Sequence, residues 1–164
     1  MKLLLETQLT SQLGFAPRIN QSIHEACAKH HRTLFFCWNI RTGIDKGVDV
    51  GRIVDYVNWY GEHILFPKLE IEEQLIFSIL SEDHYLVKRA IKEHRRIRRL
   101  FKIDKNAMKS LIYIEEELDL HIRFEERNIL PEVEKLATQK QLKLINDAFE
   151  KLPCNADWKD QFWG

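Results

Sequence analysis

Residues 107–134 read AMKSLIYIEEELDLHIRFEERNILPEVE, and this stretch decides the fold. Its apolar residues recur at steps of three and four, which is the spacing of one face of an α-helix. The resulting stripe consists of Leu111, Ile114, Leu118, His121 and Glu125. The pattern predicts one long helix over about Ala107–Glu134, with an inward face that changes from aliphatic to ionisable.

The same periodicity continues through most of the chain and predicts five helices and no strand. Glycines and prolines are few, and most lie where the periodicity stops or changes phase, as they do at helix ends. The predicted helices cover about Gln21–Arg41, Val50–Leu80, Glu82–Lys102, Ala107–Glu134 and Thr138–Leu152. Four long helices with short connections favour an all-α fold, namely an antiparallel up-down four-helix bundle with a short additional C-terminal helix.

Local chemistry predicts two helix starts and one irregularity. Ser81 precedes two acidic residues and is the expected N-cap of the third helix. Thr138 and Gln141 have the spacing of a capping box that opens the fifth helix. Pro67 lies inside the second helix, where it removes a backbone donor and should bend the helix, unless it starts a new helix after a break.

Length and composition limit the classes of protein. The 164 residues suit a single domain over 1–164, with the bundle at about 20–136 and the C-terminal helix and tail at 137–164. Lysine plus arginine (25) equal aspartate plus glutamate (25), so no net field favours nucleic acid or a membrane surface. No export signal, membrane span or Cys-x-x-Cys motif is visible. We therefore expect a cytoplasmic protein without nucleic-acid or membrane partners, and the sequence predicts no particular protein partner.

Each of the four long helices carries an ionisable residue on its apolar stripe. These residues are His31 on the first helix, Lys68 and Glu72 on the second, His94 on the third, and His121 and Glu125 on the fourth. Burying an unpaired carboxylate is costly, so polar residues that face one another from four helices call for a shared counter-charge. A multivalent cation supplies that charge, and histidine together with carboxylate suits iron, manganese or zinc.

Two other histidines and a second glutamate compete with this set. His30 is adjacent to His31, and a small error in helix phase would exchange the two. His24 lies two turns before His31 and ranks below it, because two turns are about 10 Å along a helix axis. Glu126 follows Glu125 directly and turns away from the same face. The three residues remain alternatives to the favoured ligands.

Several motifs resemble the hemerythrin-like (HHE) family of cation-binding helical bundles, and the resemblance covers nearly the whole chain. The stretch 121–131, His-Ile-Arg-Phe-Glu-Glu-Arg-Asn-Ile-Leu-Pro, is similar to the family's histidine, glutamate pair and closing apolar-proline sequence. The pair Glu93-His94 resembles the family's Glu-His pair, whose histidine is a ligand. The stretches 30–34 and 72–77 look like the ligand regions of its first and second helices.

The resemblance implies a non-haem iron site in which carboxylates from two helices bridge two iron atoms and histidines complete the coordination. Carried over by position, the ligands are His31, Glu72, His94, His121 and Glu125. The implied tasks are binding of O2 or NO, iron or redox sensing, or iron storage. Enzymatic activity rests on family analogy alone, because the sequence shows no nucleophile-base pair and no nucleotide motif.

One position departs from the family pattern. The second helix normally carries a histidine four residues before its first glutamate, and here that position is Lys68. A protonated lysine is a poor ligand, but its ammonium can pair with Glu72 four residues later. We therefore expect an altered site with one ion, or with an asymmetric and weakly held pair. The competing hypothesis is a metal-free structural or protein-interaction bundle.

Overall fold

The computed structural model describes residues 23–154 and 157–164, and every regular element in them is helical. The five helices are α1 (His24–Asp45), α2 (residues 50–80), α3 (Tyr85–Leu100), α4 (residues 107–136) and α5 (Gln139–Glu150). The predicted all-α class with five helices is confirmed. The predicted start of the first helix at Gln21, and the first 22 residues of the predicted domain, lie outside the described residues.

Helices α2 and α4 are continuous but contain π-helical turns, in which the backbone hydrogen bond spans five residues instead of four. Helix α2 consists of Val50–Tyr60, the π turn Gly61–Leu65, Phe66–Ile71, the π turn Glu72–Ile76, and Phe77–Leu80. Helix α4 consists of Ala107–Phe124, the π turn Glu125–Ile129, and Leu130–Leu136. Two of these three π turns begin at a predicted metal ligand, Glu72 and Glu125. π turns inside α-helices are frequent at functional sites.

The two helix-interior prolines each follow a π turn at the same distance. The π turn Gly61–Leu65 ends two residues before Pro67, and the π turn Glu125–Ile129 ends two residues before Pro131. Proline donates no backbone hydrogen bond and its ring collides with the carbonyl of an ordinary preceding turn, so a locally altered ladder accommodates it. Pro67 therefore does not start a separate helix, and α2 runs on through it.

A π turn also changes which residues of α2 face the core. A uniform helical period continued from Lys68 and Glu72 places Leu75 and Ile79 on the inward stripe, but both are half-buried, whereas Ile76 and Leu80 are buried. The π turn Glu72–Ile76 contains one residue more than a regular turn, and it delays the inward face by one position. Sequence periodicity therefore holds up to Glu72 and fails after it.

The predicted start of α3 was wrong by three residues. Ser81 has a φ of 85° and lies in the connection between α2 and α3, so it does not cap the helix. His84 occupies the N-cap, and its Nδ1 accepts a hydrogen bond from the backbone N–H of Leu86 at 3.2 Å. The left-handed backbone at Ser81 breaks the helical path, and the helix begins only after His84, whose ring nitrogen satisfies a first-turn N–H.

Helix α5 begins with the predicted capping box. Thr138 Oγ1 accepts a hydrogen bond from Gln141 N, and Gln141 Oε1 accepts one from Thr138 N. The helix packs against α1 and the middle of α2. At its far end, the buried Lys29 of α1 donates to the carbonyl oxygen of Leu152 at 2.8 Å, which ties the end of α5 to the first helix.

The apolar core of the described residues forms two large clusters, and the pair Leu34 and Ile122 forms a small third one. The aromatic cluster includes Phe36, Tyr56, Tyr60, Ile64, Leu69, Ile97, Phe101, Leu118 and the tail residues Phe162 and Trp163. The aliphatic cluster includes Ala26, Cys27, Ile76, Phe77, Leu86, Ala90, Ile129, Val133 and residues of α5. His30, Glu72, His94 and His121 each lie, along their own helix, between residues of one cluster and residues of the other.

Within the part of the chain that the structure describes, no helix has the length and apolar character needed to cross a bilayer.

Candidate metal centre

Three helices bring four buried ligand-type side chains together between the two clusters. Glu72 comes from α2, His94 from α3, and His121 and Glu125 from α4. Each offers one potential ligand atom, and these four atoms all lie within 4.8 Å of one another. No member of the group is more than 2% exposed. The structure thus brings together four of the five residues that the sequence favoured.

The first helix contributes His30, whereas the sequence favoured His31. His30 is fully buried, and its Nε2 lies 3.1 Å from Glu72 Oε1 and 3.1 Å from Glu125 Oε2. His31 lies half-buried on the neighbouring face of α1, where burial lowers its pKa, and His24 is exposed. The phase was misjudged because α1 is buried around much of its circumference, so its apolar residues do not mark a single face.

Each of the three central histidines is held at its Nδ1 by a glutamate outside the centre. The pairs are His30 with Glu126 at 2.7 Å, His94 with Glu73 at 2.8 Å, and His121 with Glu93 at 2.7 Å. A carboxylate only accepts, so each Nδ1 carries a proton and the lone pair of a neutral ring lies on Nε2. All three Nε2 atoms face the central carboxylates. Metal-binding histidines are held in this way, with the ring oriented by a carboxylate on its far side.

The rings of His94 and His121 face each other at the centre, with their Nε2 atoms 3.0 Å apart. Both Nδ1 atoms carry a proton and donate it outward, so in two neutral rings the Nε2 lone pairs would point at each other and repel at this distance. Either one ring holds an extra proton or both bind a shared cation. The contact is therefore strained for the neutral pair and favourable for a pair of ligands.

The central carboxylates have acceptor capacity that the protein does not use. Glu72 Oε2 and both oxygens of Glu125 are buried and accept no hydrogen bond from the described residues. They lie close to imidazoles, as Glu125 Oε1 does at 3.1 Å from His121 Nε2, but without the alignment of a hydrogen bond. An unsatisfied buried acceptor costs about 1–3 kcal/mol, and a charged one costs more. Three such oxygens beside two imidazole nitrogens match the donor set of a cation site.

The charge balance of the centre also favours cations. Burial by itself would lower the pKa of His121, but the negative charge and contact of Glu125, together with Glu93, raise it to about 9. Burial would raise the pKa of Glu125, yet the charge of His121 and the contacts with three histidines hold that pKa well below its usual range. The carboxylates thus stay ionised, and their charge draws protons onto the rings or a metal ion into the centre.

Lys68 also faces the centre. Its side chain is fully buried, and Nζ donates to Glu72 Oε1, as the four-residue spacing predicted. Arg98 donates to Glu73 Oε1 at 2.9 Å. The hydrogen bond from His94 and that from Arg98 lower the pKa of Glu73 to about 2. Lys68 and Arg98 therefore each neutralise a carboxylate of the centre or next to it.

The roles of three glutamates were missed from the sequence. The sequence pattern indicates Glu126 only as an alternative ligand, and Glu73 and Glu93 only as parts of motifs. Each is a sequence neighbour of a central residue, and neighbours on a helix are about 100° apart, so they reach sideways to the adjacent helix. Paired Glu-Glu and Glu-His residues on buried stripes were the available signal for this arrangement.

Comparison of the chain with models of known protein families, with curated proteins and with solved structures found no match.

Proposed function

We propose that this chain is a hemerythrin-like non-haem metal-binding protein whose ion is held by Glu72, His94, His121 and Glu125. The observation that carries the proposal is the set of three buried carboxylate oxygens that accept no hydrogen bond from the described part of the chain, next to two imidazole Nε2 atoms 3.0 Å apart. Two imidazoles with two carboxylates suit iron, and manganese or zinc are the alternatives. We propose iron because of the resemblance of the ligand motifs.

We infer that α1 to α4 form the antiparallel up-down bundle that the sequence predicts. The order of the two core clusters along the chain supports this layout. From N to C terminus, α1 and α3 run from the aliphatic to the aromatic cluster, and α2 and α4 run the other way. Contacts of α4 with α1, α2 and α3 are in keeping with such a bundle.

The biochemical task that we propose is binding of a small diatomic molecule such as O2 or NO, or sensing of iron or redox state. A bound ferrous ion would supply the affinity for the diatomic molecule. Glu73 and Glu93 would orient the imidazoles of His94 and His121. The two apolar clusters on either side of the centre would exclude water from it. We do not propose an enzymatic reaction.

Metal binding is tested on protein prepared without added metal and then loaded anaerobically with Fe(II). Retained iron is measured by elemental analysis after desalting, and we expect iron in the wild type and none in His121→Ala. The matched control is His63→Ala, since His63 is exposed and its Nδ1 donates to the Trp59 carbonyl at 2.9 Å. Failure of the wild type to retain iron, manganese or zinc would overturn the proposal.

A second candidate is a metal-free structural or interaction bundle, and the contact between Lys68 and Glu72 favours it. The ammonium of Lys68 and one protonated imidazole would balance the charges of Glu72 and Glu125 without any ion. The two candidates differ in their response to a chelator. A metal bound only to the folded state raises the melting temperature, so chelation lowers it, whereas a metal-free bundle does not respond.

A further inference from the structure

The four oxygens of Glu72 and Glu125 face two different groups of side chains. Glu72 Oε2 and Glu125 Oε1 each lie 3.5 Å from His94 Nε2, and Glu125 Oε1 also lies 3.1 Å from His121 Nε2. Glu72 Oε1 and Glu125 Oε2 each lie 3.1 Å from His30 Nε2. The two carboxylates therefore span two compartments, the paired-histidine side with His94 and His121, and the lysine side with His30 and Lys68.

Each compartment receives one oxygen from each glutamate. Carboxylates from facing helices that are shared in this manner are the means by which helical bundles bridge two metal ions. The paired-histidine side has two imidazole Nε2 atoms and the orphaned oxygens Glu72 Oε2 and Glu125 Oε1. It therefore has a full set of lone pairs for one ion.

The lysine side is already occupied by a cationic group of the protein. Lys68 Nζ donates to Glu72 Oε1, and the same oxygen is the hydrogen-bond partner of His30 Nε2. An ammonium has three donors and no lone pair, so it neutralises carboxylate charge without acting as a ligand. A divalent ion placed beside it would meet a like charge in a buried site, where screening by water is weak.

Because Lys68 is buried, its ammonium stays next to Glu72 in the folded protein. The side chain is fully buried and cannot swing out to solvent without opening the core between α2 and its neighbours. His30 is likewise fully buried, and both of its ring nitrogens contact carboxylates, those of Glu126 and Glu72. The four-residue group that can share one ion includes His94 and His121 and does not include His30.

We propose that the centre binds a single divalent ion on the paired-histidine side, and that Lys68 takes the place of a second ion on the lysine side. His30 is then a positioning residue that holds Glu72 and Glu125 and is not a ligand. This inference rests on the proposed function, because it assumes that the centre binds a metal.

The number of ions per chain separates this inference from the proposed function. Wild-type protein is titrated anaerobically with Fe(II), and separately with Co(II), and the bound ions are counted by native mass spectrometry. One ion per chain supports the inference. Two tightly held ions overturn it and leave the proposed function intact, whereas no ion overturns the proposed function itself.

A substitution tests whether Lys68 is what excludes the second ion. Lys68→His replaces the ammonium by a nitrogen ligand, and we expect the count to rise from one ion to two. The matched control is Lys29→His, since Lys29 is also buried but its Nζ donates to the backbone carbonyl of Leu152 and not to a central carboxylate, and its count should stay at one. A count of one in Lys68→His would contradict the exclusion by Lys68.

A second pair of variants keeps the test decisive if Lys68→His does not fold. His121→Gln removes a ligand, so we expect Co(II) affinity to fall by more than about 100-fold and the visible Co(II) spectrum to change. His30→Gln keeps a hydrogen-bonding side chain, and loss of an outer partner weakens metal binding by about 10- to 100-fold at most, with the ligand set and spectrum retained. Equal losses and equal spectral changes in the two variants would overturn the assignment of the paired-histidine side.

Discussion

The Nε2 atoms of His94 and His121 lie 3.0 Å apart, and the Nδ1 atom of each ring is turned outward to a glutamate. The two rings come from different helices and meet beside the buried oxygens of Glu72 and Glu125. No packing requirement explains why two imidazoles should oppose their nitrogens in this manner, since apolar side chains fill such a space at lower cost. A shared ion would account for it, and this relationship underlies the predictions that follow.

Metal binding should stabilise the fold. At a free Fe(II) concentration 100 times the dissociation constant, a ligand of the native state adds about 2.7 kcal/mol. For a chain of this size that corresponds to a rise in melting temperature of about 5–10 °C. Anaerobic calorimetry with and without Fe(II) measures the shift, and addition of a chelator should reverse it. An unchanged melting temperature at saturating Fe(II) would count against the metal centre.

Loss of an outer glutamate should weaken the metal without removing a ligand. Glu93→Ala frees the His121 ring from its 2.7 Å contact, and we expect metal affinity to fall by about 10- to 100-fold. Glu117→Ala is the matched control, because Glu117 pairs with Arg96 on the surface at 2.6 Å and does not contact the centre. Competition with a coloured chelator measures both affinities. Equal affinities in the two variants would show that the contact of Glu93 with His121 does not matter for binding.

Removal of Lys68 should destabilise the metal-free protein. Lys68→Met leaves the Glu72 carboxylate buried without its ammonium, and breaking a buried ion pair on one side costs about 3–5 kcal/mol. The double variant Lys68→Met with Glu72→Met removes both charges and should recover much of the loss. Urea unfolding in the presence of a chelator measures the free energies. A double variant no more stable than Lys68→Met would contradict the pairing of these two residues.

The three cysteines should react at very different rates. Cys27 and Cys37 are buried and Cys154 is half-buried. Burial raises the pKa of the Cys37 thiol well above its usual range, so the reactive thiolate of this residue stays rare until the pH exceeds that raised value. At pH 7 to 9 we expect one fast-reacting thiol, that of Cys154, and two slow ones. Labelling kinetics with a chromogenic disulfide measure the three rates. In urea, all three thiols should react fast. Fast labelling of Cys37 in the native protein would contradict the prediction, because it would show that the core around Cys37 opens.

Much of the fold was predictable because three of the long helices have a well-defined buried face. On α4 the stripe from Leu111 to Glu125 follows a regular helical period, and the residues on it are buried as predicted. The capping box at Thr138 is equally local and could be recognised from two residues. Local chemistry and regular periodicity therefore predicted the elements that contain most of the centre.

The remaining features depend on information that a regular period does not contain. The π turn Glu72–Ile76 shifts the inward face of α2, and no residue type in it requires a π turn. The choice between His30 and His31 depends on how α1 is surrounded, because buried residues lie around much of this helix. The contacts of Glu73 and Glu93 with histidines on adjacent helices depend on how the helices are arranged, which local patterns do not reveal.

X-ray absorption at the iron edge tests the central claim most directly, because it reports the ligands of the ion itself. On anaerobically loaded and desalted wild-type protein, we predict one iron per chain, scattering from two histidine rings, and no iron neighbour at a bridging distance. Iron that is not retained, or retained iron without scattering from histidine, would contradict the account.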